Sequence, residues 1–285
     1  MAQQLLGKEV TASLNTRILE QVDILARKKI RPCLEIIRIG DQESDISYEK
    51  GAMKRCSLLQ IECRTFHLGA EVSQEELLSV IDIANRDEQV HGVLLLRPLP
   101  KYMDRHLVEN ALDPAKDVDC MTDASLLGVF TGKQTGFPPC TPQACMEILD
   151  HYGIDCTGKR AVVIGRSLVV GKPAAMMLLG RNATVTICHT KTENLEERAR
   201  EADILLVCAG RAKMIDEKYL HQGQVVLDVG INVNEEGKLC GDLDMEAAEK
   251  AGALYTPVPG GVGSVTTSVL AAHVVEAAMR QTNTD

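Results

Sequence analysis

Short, mostly apolar runs recur along this chain: Cys33–Ile39, His91–Leu96, Arg160–Ile164, Ile204–Cys208 and Gln224–Val229. A strand that is apolar on both faces must be covered on both faces, and this happens in parallel sheets whose crossovers are helices. Segments with helical spacing lie between the runs. Val10, Leu14, Ile18, Val22 and Leu25 line one face of a first helix. Ser44–Leu59, Gln74–Arg86, Pro142–Tyr152, a stretch from Gly171, Leu195–Ala202 and Thr266–Gln281 read as further helices, with strands at Ile61–His67 and Ala183–Cys188. Ser73 followed by Glu76 forms a capping-box signature before the third helix. This alternation predicts an α/β protein whose second half is a doubly wound parallel sheet.

A length of 285 residues suggests two domains. The Gly- and Pro-rich segment 128–139, GVFTGKQTGFPP, is the expected linker. A net charge of −9 with no long basic run argues against a nucleic-acid or anionic-membrane surface. The ten cysteines are scattered without C-x-x-C or zinc-site spacing, so free thiols in a reducing compartment are expected and no metal site. The N-terminus lacks the pattern of a secretory signal, and no apolar run reaches membrane-spanning length, so a cytoplasmic protein is expected.

The segment Ala161–Pro173 (AVVIGRSLVVGKP) places Gly165 and Gly171 between a buried strand and a helix. Glycines there let backbone N–H groups approach a pyrophosphate at a helix N-terminus. The spacing is not G-x-G-x-x-G, and a bare β–α turn would share it. NAD sites place a carboxylate at the end of the next strand to hold the ribose 2′-OH. Here that strand ends Cys188-His189-Thr190-Lys191, without a carboxylate, and Arg166 lies in the glycine loop. Such donors suit a 2′-phosphate, which favours NADP over NAD. On the alternative reading both charges are simply solvated.

Four ordered strings carry a resemblance: Lys116-Asp117-Val118-Asp119, Pro139-Cys140-Thr141-Pro142, Gly165-Arg166-Ser167 with Val170-Gly171-Lys172-Pro173, and Thr256-Pro257-Val258-Pro259-Gly260-Gly261-Val262-Gly263. Over nearly its whole length the chain resembles the bifunctional methylenetetrahydrofolate dehydrogenase/methenyltetrahydrofolate cyclohydrolase family. The resemblance implies two α/β domains with a cleft. Residues 1–138 with the C-terminal helix 266–285 would form the folate domain, and 139–265 a Rossmann-like NADP domain. It also implies a homodimer serving one-carbon and purine metabolism. The implied chemistry is hydride transfer from 5,10-methylenetetrahydrofolate to NADP, then hydration of the methenyl cation to 10-formyltetrahydrofolate. Gly165, Arg166, Ser167, Gly171, Thr190, Lys191 and Ile231 would hold the cofactor. Tyr48, Lys54, Leu96, Asp119, Pro259, Gly260 and Gly261 would face the substrate, with Lys54, Tyr48 and Asp119 catalytic.

Four departures from the family pattern matter, one of them Ser264-Val265, followed by Thr266, where the family reads Pro-Met after the glycine-rich string. The family reads Ser-x-x-Tyr-x-x-x-Lys, but Tyr48 precedes Lys54 by six residues, and six apart on a helix is not one face. Leu96 replaces a family glutamine in Leu96-Arg97-Pro98-Leu99-Pro100, where it would desolvate Lys54 or else weaken the cyclohydrolase step. Cys120 replaces a glycine after Asp119. Asp119 suits the amino-pyrimidine edge of a pterin, since one carboxylate accepts two hydrogen bonds. Cys140 is expected to pack rather than act as a nucleophile. A dehydrogenase with a weak cyclohydrolase, a non-catalytic NADP/folate-binding module, and a Rossmann oxidoreductase for another small substrate are the competing readings.

Overall fold

The computed structural model describes residues 2–234 and 236–282. In chain order the elements are β1 (Gln3–Gln4), α1 (Gly7–Arg27), β2 (Cys33–Ile39), α2 (Glu43–Leu58), β3 (Glu62–Leu68), α3 (Gln74–Arg86), β4 (Gly92–Leu95), α4 (Arg105–Asn110), α5 (Asp123–Thr131) and α6 (Cys140–His151). They continue with β5 (Arg160–Ile164), α7 (Gly171–Gly180), β6 (Thr184–Cys188), α8 (Leu195–Arg200), β7 (Ile204–Val207), β8 (Val225–Asp228), β9 (Asn232–Val233), β10 (Leu239–Cys240), α9 (Met245–Ala251), β11 (Leu254–Tyr255) and α10 (Thr266–Thr282). The last three residues of the helix expected over 266–285 lie outside the described residues. Among the described residues no helix is long and apolar enough to cross a membrane, and all ten cysteines are free.

The chain divides into two compact units, residues 14–140 with 267–285 and residues 1–13 with 141–266. This differs from the expected first domain of residues 1–138. The first thirteen residues belong instead with the second unit, because β1 pairs in parallel with β11 and Leu5 N–H donates to the Tyr255 carbonyl at 2.7 Å. Part of the expected linker is helical: α5 runs to Thr131 and ends on Gly132 in the left-handed conformation. Its N-cap Thr122 accepts from Ser125 N–H, a start signal that the Gly- and Pro-rich context obscures.

In the first unit three parallel strands stand in the order β3-β2-β4. The chain leaves β2 to one side and then crosses to the other, which makes the gap between β2 and β4 a topological switch point. α3 shows why its sequence is helical. Ser73 caps it, and Leu77, Val80, Ile81 and Ala84 form one buried stripe against the core. Gly92 admits no side chain, since a Cβ would stand 2.6 Å from Val118 and 3.1 Å from Val274 of α10.

Lys116 and Asp117 of the KDVD string are structural. Lys116 Nζ donates to the carbonyls of Ala84, Asn85 and Asp87 at 2.7–2.9 Å, neutralising the C-terminal end of α3, and its burial lowers its pKa. Asp117 accepts from Met121 N–H, Thr122 N–H and the Thr122 and Ser125 hydroxyls at 2.6–2.8 Å. It thereby builds the turn from β4's flank into α5. Asp117→Ala leaves these buried donors without an acceptor and is expected to destabilise the protein by about 3–5 kcal/mol. Urea unfolding checks this. An unchanged midpoint would mean that the donors re-pair among themselves.

The second unit holds a six-stranded parallel sheet, ordered β1-β11-β8-β7-β5-β6. Its core gathers Val162, Ile164, Leu205, Val207, Val226 and Tyr255 with the inner faces of α8 and α9. From β5 the chain moves outward to β6, then returns across β5 to β7, so the switch point lies between β5 and β7. Both sheets are doubly wound in this sense, as the alternation predicted for the second.

Candidate functional site

In the second unit the glycine loop opens at that switch point. Gly165 follows β5 with φ +136°, and a Cβ there would stand 2.4 Å from Cys208 Sγ and 2.7 Å from the Cys208 carbonyl oxygen. At Gly171, the first residue of α7, a Cβ would meet the Gly165 carbonyl oxygen at 2.3 Å. The loop is thus closed on itself by backbone alone, a cradle that any side chain would fill. Ser167 Oγ accepts from Val170 N–H at 3.1 Å and fixes the turn into α7. Arg166 and Ser167 are exposed.

The turn after β6 is built by its own side chains. Thr192 Oγ1 accepts from His189 N–H at 2.8 Å, and His189 Nδ1 accepts from Lys191 N–H at 3.1 Å. Thr190 and Lys191 are left exposed. Two buried carboxylates shape the neighbouring loops. Asp242 accepts from the N–H groups of Ala209, Gly210 and Arg211 and from Asn232 at 2.7–2.9 Å. Asp228 accepts from Gly230, Asp242 and Leu243 N–H, and burial pushes its pKa up to about 6 against those hydrogen bonds. Neither aspartate was singled out from sequence; Asp228 ends the apolar strand β8 and Asp242 lies in a loop, and only their many backbone donors mark them.

Ile231 is exposed and stands 3.9 Å from the Cβ position of Gly263. The TPVPGGVG loop is anchored from below. Thr256 Oγ1 accepts from Asp228 N–H at 2.8 Å, and the Gly260 carbonyl accepts from Gly7 N–H at 2.9 Å. Gly260 has φ +103°, and at Gly261 a Cβ would stand 2.5 Å from the Pro257 carbonyl oxygen. Pro259 follows a cis peptide bond and is exposed with Gly260, while Gly261 is buried.

In the first unit Tyr48, Arg97 and Asp119 come together at the C-terminal ends of β2 and β4. Val93 of β4 pairs in parallel with Asp117, so the chain emerging after β4 runs beside the chain emerging after Asp117. Arg97 Nη2 donates to Asp119 Oδ2 at 3.2 Å, and Arg97 Nη1 lies 3.8 Å from Glu109 Oε1. Asp119 Oδ1 accepts from Cys140 N–H at 3.1 Å. Tyr48 sits on α2, whose second turn is pinned by the buried pair Arg38 Nε–Glu49 Oε2 at 2.9 Å. Burial, with Cys140 and Asp119 beside it, pushes the Tyr48 phenol pKa up, so it is a hydrogen-bond donor near neutral pH and not a base. His273 is buried and its pKa is lowered by that burial; its neutral ring lies 2.9 Å from the Val118 carbonyl through Nδ1. Cys140 is buried, with its thiol pKa raised, as packing rather than nucleophilic use requires. Cys120 takes φ +56°, the backbone conformation for which the family's glycine is suited.

Lys54 does not join this cluster. It lies on an exposed face of α2, whereas the residue one turn on from Tyr48 on the same face is Ala52, 1% exposed. Leu96 is buried and its N–H donates to the Ile37 carbonyl, so it does not desolvate the solvent-facing Lys54. Arg97 was passed over in the sequence because its partner lies 22 residues away. Among the described residues no group of three or more His, Cys, Asp or Glu side chains is placed to hold a metal ion.

The sequence model of the tetrahydrofolate dehydrogenase/cyclohydrolase catalytic domain matches residues 5–119, and that of the NAD(P)-binding domain of the same family matches residues 139–282. The chain is 48% identical over 277 residues to the bifunctional protein FolD of Clostridioides difficile, covering 97% of this chain and 96% of that one. It is 47% identical to the protein of the same name from Clostridium kluyveri, with 95% of each chain covered. Among solved structures, the bifunctional FolD dehydrogenase/cyclohydrolase of Campylobacter jejuni superimposes with a TM-score of 0.95 at 38% identity, covering 98% of this chain and 99% of that one. The Trypanosoma brucei enzyme, complexed with NADP and an inhibitor, gives 0.91 at 30% identity, covering 99% and 98%. With both family domains matched in order and relatives this close over nearly their full lengths, the chain belongs to the tetrahydrofolate dehydrogenase/cyclohydrolase family.

Proposed function

We propose that the protein oxidises 5,10-methylenetetrahydrofolate with NADP and hydrolyses the methenyl product to 10-formyltetrahydrofolate. The observation that carries this reading is the match of a catalytic and an NAD(P)-binding domain that together span residues 5–282, apart from the short segment joining them. The backbone cradle of Gly165 and Gly171 fits a pyrophosphate, and the carboxylate-free turn at Thr190 and Lys191, with Arg166, fits a 2′-phosphate. Ser167 orders that loop, and Ile231 offers an apolar wall beside Gly263. When bound, NADP supplies the hydride acceptor.

Asp119 accepts N–H groups of the pterin edge, Tyr48 donates to the substrate through its protonated phenol, and Pro259–Gly261 lets the substrate approach backbone closely. Lys54, on the exposed face of α2, stands apart from these residues. Hydration of the methenyl cation needs a proton removed from water. Tyr48 is held protonated and Arg97 is a permanent cation, so neither is a base. Ala52 and Leu96 at the positions of the family's lysine and glutamine therefore favour a second reading, a dehydrogenase with a slow cyclohydrolase. The free thiols suit a reducing cytoplasm, and a homodimer is proposed with it from the family resemblance.

One assay tests these readings: reduction of NADP, and of NAD in parallel, with methenyl absorbance read before and after acid quench. Acid closes 10-formyltetrahydrofolate back to the methenyl form. Reduced NADP with a methenyl signal appearing only after acid is the expected result. A methenyl signal already complete before acid selects the second reading. No reduced cofactor with either nucleotide overturns both.

A further inference from the structure

We propose that Arg97 is a positioning residue of the folate site, holding Asp119 in the orientation that receives the pterin; this rests on the folate reading above. Three observations converge. First, Asp119 is gripped at both oxygens, with Oδ1 on Cys140 N–H at 3.1 Å and Oδ2 on Arg97 Nη2 at 3.2 Å. The plane of the carboxylate is thereby set, while its side chain keeps 26% of its surface open to a ligand. Second, Arg97 is itself braced. Glu109 Oε1 lies 3.8 Å from Nη1, and Arg105 Nε donates to that same oxygen at 2.8 Å, so the guanidinium is held from behind. Third, Arg97 supplies the cation of this cluster, because the face of α2 next to Tyr48 carries the buried Ala52 and Lys54 points to solvent.

A guanidinium presents donors in a fixed plane and stays charged at every working pH. It therefore keeps Asp119 in one orientation and an acceptor. A lysine supplies the charge without the planar fork, and a glutamine supplies a donor without the charge. The residue acts through Asp119, which predicts coupling between the two.

The test combines kinetics with direct binding of tetrahydrofolate by calorimetry on the full chain, using Arg97→Gln, Arg97→Lys, Asp119→Asn and the double variant R97Q/D119N. Arg97→Gln is expected to raise both the tetrahydrofolate Kd and the KM for 5,10-methylenetetrahydrofolate about tenfold, as loss of one charge-assisted contact implies. The KM for NADP should stay within about twofold, since its site lies in the other unit. Arg97→Lys should recover part of the loss. The double variant should bind no more weakly than Asp119→Asn alone. Thermal melting of each variant separates lost positioning from lost folding, and Arg97→Lys serves as the folded comparison if Arg97→Gln melts early. Wild-type binding that Arg97→Gln leaves unchanged, or losses that add fully in the double variant, would overturn the positioning role alone. Absence of tetrahydrofolate binding by the wild-type protein would overturn the folate reading and this role with it.

Discussion

Asp119→Ala is expected to lower kcat/KM for 5,10-methylenetetrahydrofolate by at least about 10²-fold, while the KM for NADP stays within about twofold. Truncation removes the acceptor proposed for the pterin and strands two donors, the Arg97 guanidinium and Cys140 N–H, that are now paired with it. Losing a charge-assisted pair of contacts is worth roughly 2–5 kcal/mol, which sets the expected size. Asp119→Asn separates the causes. It keeps the volume and one acceptor but offers an NH₂ where a carboxylate oxygen stood, so it should retain more stability than alanine and little more activity. Stability should fall only modestly in either variant, because Asp119 is part-exposed, in contrast to buried Asp117 two residues earlier. Steady-state kinetics with each substrate varied in turn checks the split. An equal rise in both KM values would mean that the substitution disturbs the fold, and unchanged kinetics would remove Asp119 from the site.

The contrast between Asp117 and Asp119 shows what kind of information a sequence carries. The string Lys116-Asp117-Val118-Asp119 marks the family, yet its four residues do different work, and nothing in their identity says which faces a ligand. Three-dimensional partners decide it: three helix-end carbonyls for Lys116, four donors for Asp117, and one backbone amide with one guanidinium for Asp119. Strands such as Cys33–Ile39 and Arg160–Ile164 were legible to the residue, because burial on both faces demands a mostly apolar run. β1, Gln3–Gln4, was not, since two polar residues become a strand only through a partner 251 residues away. α4 and α5 were hidden because each is short and draws its stability from caps, Asp104 and Thr122, rather than from a long apolar stripe. The lysine of α2 illustrates a further limit. Counting from Ser47 puts Lys54 at the family spacing, while the helix face that carries Tyr48 leads to Ala52. Residue identity and helical phase disagree there, and the backbone geometry follows the phase.

The glycine loop offers a sharper test of the cofactor site than any of its charges. Gly171→Ala is expected to raise the KM for NADP at least about tenfold and to leave tetrahydrofolate binding unchanged. The new methyl carbon would stand 2.3 Å from the Gly165 carbonyl oxygen, 2.5 Å from its carbon and 2.8 Å from Arg166 N. All three are backbone atoms, so relief cannot come from rotating a side chain and must come from opening the loop. The strand before it cannot yield, because Gly165 is backed at once by Cys208 of the neighbouring loop. Movement is therefore driven outward, into the space the pyrophosphate would occupy, and the amides at the start of α7 lose their aim. Gly180→Ala, at the opposite end of the same helix, provides the control. Nothing lies within 4 Å of the Cβ position there, and alanine's better helix propensity should leave stability equal or higher by up to about 1 kcal/mol. NADP kinetics and thermal melting of the two variants decide the matter. A Gly171→Ala protein that binds NADP as tightly as wild type would place the cofactor somewhere other than this turn, whereas selective loss of NADP affinity with folate binding intact ties the dinucleotide to the β5–α7 turn.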